Sequence, residues 1–147
     1  MNQEATKDGK FVFVQDWPTE VLPVVRGVLA EMAWLIPDWC REVFISWHPA
    51  LSDCVADMTV EFGYRRAFLR IAPSFLDNPA DERVHCLRHE LLHISTSPMS
   101  DYALNAFRRL LPEGEKDVMF ETLKDGLTEC HEGCVQDLAH CLSVKQK

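Results

Sequence analysis

The chain divides near residue 78, and that division limits what it can fold into. Four segments with apolar–polar alternation precede it: FVFVQ at 11–15, REVFISW at 41–47, DMTVEF at 57–62 and RAFLRI at 66–71. Each predicts a strand. The last two are joined by a turn at Gly63-Tyr64-Arg65, and residues 48–56, holding His48-Pro49, form a loop. One helix interrupts this half, opening at Trp17-Pro18-Thr19 and reaching about Ile36, with Val21, Val25, Val28, Met32 and Leu35 at helical spacing. Pro23 is tolerated in its first turn and Pro37 stops it. Beyond residue 78 the spacing is helical throughout. Asn78 is the expected cap and Pro79 the first helical residue, followed by Asp81 and Glu82, and this helix should stop before Pro98. A shorter helix over 101–111 ends at Pro112 and Gly114, and a long one covers 115–144, with Gly126 and Gly133 as weak points. Strands early and helices late make the class α+β. With no repeat, low-complexity tract or linker, residues 1–147 are expected to form one domain.

Composition narrows the function classes. Hydrophobic residues at 47% and charged residues at 26% fit a globular chain and argue against disorder. A formal net charge of -8 has the wrong sign for gripping phosphate backbones, so no nucleic-acid partner is expected. The polar start MNQEATKDGK lacks the apolar run of a secretory signal. The greasiest stretch, VLPVVRGVLAEMAWLIP, is broken by Arg26, Glu31 and two prolines, so no membrane partner is expected either. The six cysteines (Cys40, Cys54, Cys86, Cys130, Cys134 and Cys141) contain no CxxC pair. They are expected as reduced thiols in the cytoplasm. Cys130, Cys134 and Cys141 share a helical stripe and read as small core residues, with a soft-metal or redox module on Cys130 and Cys134 as a minor alternative.

One motif speaks to chemistry: His89-Glu90-Leu91-Leu92-His93, inside the helix that begins near Pro79. Residues four apart differ by about 40° in azimuth, so both imidazoles leave one helix face and can bind a single Zn2+. Glu90 projects to one side of the pair, where it can take a proton from an activated water and return one to a leaving amine. With this composition, random order produces HExxH only ~2% of the time, and here the motif sits in a capped, amphipathic helix. His85 extends the stripe by another turn. Three histidines in line cannot close a tetrahedron around one ion, so His85 is expected beside the site or on the surface.

A third protein ligand is needed. The residues after the motif, Ile94 to Met99, lack the HxxGxxH continuation of metzincins. The ligand must come from farther on, where Glu129, His131, Glu132, Asp137 and His140 are all chemically capable. HELLH followed by a later helical glutamate resembles the gluzincin clan of thermolysin-like zinc peptidases, and the small size is similar to minigluzincins and to short metallopeptidases of phages and bacteria. In that clan the ligand glutamate is followed by a bulky apolar residue at offset six and a small one at seven. Glu132 is followed by Leu138 and Ala139, whereas Glu129 is followed by Val135 and Gln136. The resemblance therefore implies Glu132 as third ligand, aimed by Leu138 and Ala139 packing on the HELLH helix.

It also implies a compact zincin-like domain: a small mixed sheet, a backing helix, the HExxH helix and a C-terminal glutamate helix. The activity implied is zinc-dependent peptide-bond hydrolysis with Glu90 as general base. A peptide or protein substrate would lie antiparallel along the strand at 57–62. The Ser/Asn-Asp companion usual after the ligand glutamate is replaced by Val135 and Gln136. Tyr102 and His131 are the candidates for stabilising the charge that develops on the substrate oxygen. A non-catalytic zincin scaffold that binds zinc and docks on another protein is the alternative. Trp34, Trp39, Trp47, Phe11, Phe13, Phe44 and Phe68 are expected in the core, His48 as structural, and Arg65, Arg66 and Arg70 as partners of acidic neighbours.

Overall fold

A computed structural model describes residues 6–14, 16–111 and 116–144. The expected boundaries at Gln15, Pro112, Gly114 and Glu115 lie outside them. The architecture is α+β: five strands in one mixed sheet and three helices. In chain order these are β1 (Thr6–Asp8), β2 (Phe11–Phe13), α1 (Val21–Ala30), β3 (Glu42–Trp47), β4 (Ala56–Glu61), β5 (Arg66–Ile71), α2 (Ala80–Leu110) and α3 (Lys116–Val144). The sheet order is β1-β2-β3-β5-β4. β2, β3 and β5 run parallel, while β1 and β4 are antiparallel to their neighbours at the two edges.

Alternation in the strands decides which face is covered. Val43 and Ile45 of β3, and Ala67, Leu69 and Ile71 of β5, point to one side and are fully buried. Val21, Val25 and Leu29 of α1 join them there, as do Leu87, Leu91 and Ile94 of α2. The opposite face stays in water. On it Phe44 and Phe68, expected in the core, stack half-buried at 5.3 Å. Arg66 pairs with Glu61 and Arg70 with Asp57 across the β4–β5 ladder, and Arg65 donates to the Trp39 carbonyl at 2.8 Å.

Several boundaries differ from expectation. β1 was not evident in the sequence; it is formed by Thr6–Asp8 folding back on β2 through Gly9, whose φ of 60° is a conformation glycine adopts freely. α1 is shorter than expected, because Thr19 and Glu20 form a turn and the chain tightens into a 3-10 turn at Ala33–Leu35. That turn keeps Leu35 buried but leaves Trp34 61% exposed. β4 starts at Ala56, which is buried opposite Ile71, and ends at Glu61. Phe62–Tyr64 make the turn with Arg65 left-handed. At the start of α2, Pro79 stands at the cap with extended ψ and no side-chain cap, so Asn78 is not the capping residue.

The largest correction concerns Pro98. The two helices expected on either side of it are one 31-residue helix. Proline removes one backbone N–H and crowds the carbonyl four residues back. The helix continues because α3 packs antiparallel along it on both sides of that point. His85 and His89 face Gln136 before Pro98, and Arg108 lies over the Phe120 ring beyond it. Among the described residues no helix is long and apolar enough to cross a membrane. Replacing Pro98 by Ala should restore the N–H to an unbroken helix and raise stability by about 1–2 kcal/mol, less than the full helix-interior penalty because the unfolded chain also loosens. Urea unfolding checks this, and a lowered midpoint would contradict a continuous helix.

Candidate metal centre

α2 carries two opposed stripes. Leu87, Leu91 and Ile94 face the sheet and are fully buried. His85, His89, His93 and Thr96 lie about 180° away around the axis, at 100° per residue. α3 covers this second stripe. Its own inward residues are Val135 and Ala139, both fully buried, with Glu132 and Gln136 on the same face of the helix.

The geometry brings His89, His93 and Glu132 together. His89 Nε2 lies 3.2 Å from His93 Nε2. Glu132 reaches both rings, with Oε2 at 3.3 Å from His89 Nε2 and Oε1 at 3.5 Å from His93 Nε2. Donors held at about 2.0–2.1 Å around a tetrahedral ion stand roughly 3.3 Å from one another. The separations match that spacing, and two imidazoles with a carboxylate are a donor set that could hold a metal ion. The imidazole side chains are 18% and 11% exposed and that of Glu132 is 50% exposed, so the cluster opens to solvent on the α3 side.

Two features prepare the rings. His89 Nδ1 donates to Gln136 Oε1 at 3.1 Å, which leaves the Nε2 lone pair directed into the cluster. The Gln136 amide nitrogen in turn donates to His85 Nε2 at 3.2 Å. Gln136 thus holds His89 through a neutral amide. It lies one turn past Glu132, the only sequence signal that could have marked it. Burial is the larger influence on His93 and holds its pKa down to about 4; the neighbouring His89 and His131 act in the same direction and Glu132 against it. A neutral imidazole is the ligating form.

Glu90 projects about 100° from His89 and 60° from His93 around α2 and is 9% exposed. Burial first, then the Glu132 and Asp57 carboxylates, push it up to about 8. Cys86, one turn earlier, is pushed up to about 12 by burial, Glu90 and Cys54. Sequence reading did not place Cys54 or Asp57 near Glu90, because that proximity depends on how β4 packs against α2.

The other expected candidates are not gathered here. Glu129, Asp137 and His140 are exposed and outside the donor cluster. Of the two residues expected to aim Glu132, Ala139 is buried as expected whereas Leu138 is 44% exposed, on the flank of α3. Tyr102 is exposed and lies nine residues past His93, roughly 13 Å along the axis. His131 sits against His93, with its Nε2 engaged by Thr96 at 2.7 Å. All six cysteines are free. Cys130, Cys134 and Cys141 are exposed, contrary to the core reading, because Val135 and Ala139 take the packed face of α3. No family model, curated protein or solved structure matches the chain.

In the metal-free chain the His93 ring should keep the NMR signature of a neutral imidazole until the pH nears 4, since burial disfavours its charged form. A midpoint at the ordinary value near 6.5 would contradict the enclosed setting described above.

Proposed function

We propose that this chain is a zinc-dependent peptide-bond hydrolase of the HExxH type, with a zincin-like fold and a gluzincin ligand set of His89, His93 and Glu132. The observation that carries the reading is the convergence of these three donors from two helices, with the buried Glu90 carboxylate beside them. These three residues would hold the zinc, which when bound would supply a water of pKa around 7 and polarise a carbonyl. Glu90, which the charge of a bound cation would return to its ionised form, would take the proton of the attacking water and deliver it to the amine nitrogen as the C–N bond breaks. Gln136 fixes the His89 ring with Nε2 facing the donor cluster.

The open edge of the sheet supports a peptide as substrate. Among the described residues no strand pairs with the outer side of β4. A peptide added antiparallel there would gain backbone hydrogen bonds and leave selectivity to side-chain contacts. β4 runs from Asp57, whose charge acts on Glu90, to a cleft at its far end. The cleft is about 600 Å³ and is lined by Phe62, Pro98, Met99 and Tyr102 among others. In this seating the residues that precede the cleaved bond run toward the cleft, which suits apolar side chains. The carboxylate at position 90 favours catalysis over a zinc-bearing docking module, since a purely structural site needs no buried acid beside its ligands.

Two results test the reading. Glu132→Ala should abolish tight zinc binding while Glu129→Ala leaves it near the parent value, measured by competition with a chromophoric chelator; the reverse order would move the ligand to Glu129. Glu90→Gln should retain zinc yet lose ~10²–10⁴-fold of the turnover on a mixed peptide library. Zinc binding by the parent with no cleavage of any peptide would favour the docking module.

A further inference from the structure

His131 is engaged in a way that gives it a definite task. The His93 ring stands between two other imidazoles, each nearly perpendicular to it: His89 at 4.9 Å and 75°, His131 at 5.0 Å and 78°. Gln136 fixes His89 by a hydrogen bond to Nδ1. Among the described residues the polar contacts of His93 all run through Nε2, to His89 and Glu132, so packing must set the tilt of its ring. His131 can supply that packing because it is itself held. Thr96 Oγ1 donates its one hydrogen to the Leu92 carbonyl at 3.1 Å. It must therefore accept from His131, whose Nε2 donates to it at 2.7 Å. This fixes the His131 tautomer and ring angle, and the bond joins α3 to α2 one turn beyond the HELLH motif.

We propose that His131 is a positioning residue: anchored by Thr96, its ring sets the orientation in which His93 presents Nε2 to the metal. The proposal rests on the zinc reading above and replaces the oxyanion role weighed for His131 from the sequence, since the nitrogen that would serve that role is committed to Thr96. Groups that orient a metal-bound imidazole typically change metal affinity by ~10–100-fold.

The test uses the full chain, with zinc affinity and the visible absorption of the cobalt-loaded protein as readouts. His131→Ala should weaken zinc ~10–100-fold and shift the cobalt bands. His131→Phe keeps a ring against His93 without the hydrogen bond and should recover most of the loss. Thr96→Val should fall between the alanine variant and the parent. Circular dichroism confirms folding, and should the alanine variant fail to fold, the other two carry the comparison. Parent-like affinity and cobalt bands in His131→Ala, or a phenylalanine variant as weak as alanine, would overturn the proposal while leaving the zinc reading intact. A parent chain that binds no zinc would sink both.

Discussion

Burial of the Leu87, Leu91 and Ile94 stripe against the sheet sets the rotation of α2 about its own axis, and the rest of the molecule follows from that rotation. Each of these side chains is fully buried, and each is worth roughly 1.5–3 kcal/mol of transfer free energy when removed from water. Turning the helix to hide its histidines instead would expose all three. With the leucines and the isoleucine facing the strands, helical periodicity leaves His85, His89, His93 and Thr96 on the far side. Glu90 falls on the flank, close to Asp57 and Cys54. A bare stripe of that length on a 31-residue helix needs a cover, and α3 supplies it with Val135 and Ala139 as apolar contacts.

The polar residues on the covering face then have no freedom to be generic. Once Val135 and Ala139 are packed, Glu132 and Gln136 are forced toward α2, where His85, His89 and His93 lie opposite. The result is a chain of mutual satisfaction, from His85 to Gln136 to His89 on one side and from His131 to Thr96 to Leu92 on the other. Polar groups in such a seam are tolerated because each finds a partner. The outer face of the sheet follows the other rule, with Lys7, Arg66 and Arg70 paired to acids in water, where such pairs add little to stability.

Periodicity made most of this legible. Alternation located β3 and β5 closely because both bury every second residue, and the spacing of Val21 and Val25 located the inward face of α1. The two histidines could be paired because a helix fixes azimuth regardless of context, whereas Glu132 was singled out by the family resemblance, through the residues at offsets six and seven, of which Ala139 is buried and Leu138 is not. Three things could not be read. Pro98 is a helix breaker by intrinsic preference, and only contacts with α3 on both sides of it reverse that preference. The thiol stripe on α3 was assigned inward because cysteine is often buried, yet the inward face is decided by partners 40 to 50 residues away in sequence. Gln136 and Thr96 are ordinary helix residues whose importance comes from what stands opposite them.

The donors and the groups that hold them all belong to one uninterrupted stretch of chain, from His85 to Gln136, folded on itself as two helices. Part of what surrounds Glu90 comes from elsewhere: Asp57 of β4 and Cys54 of the loop before it stand near it together with Glu132 of the hairpin. Glu132 belongs to both, so only the strand side can vary without touching the donors. A change in the strand edge alters part of the company kept by the acid while the donor triangle is left alone, whereas a change at Glu132 reaches both. The strand residues 53–62 are therefore freer to change than Glu132, a single side chain that serves the donor triangle and the setting of the acid at once.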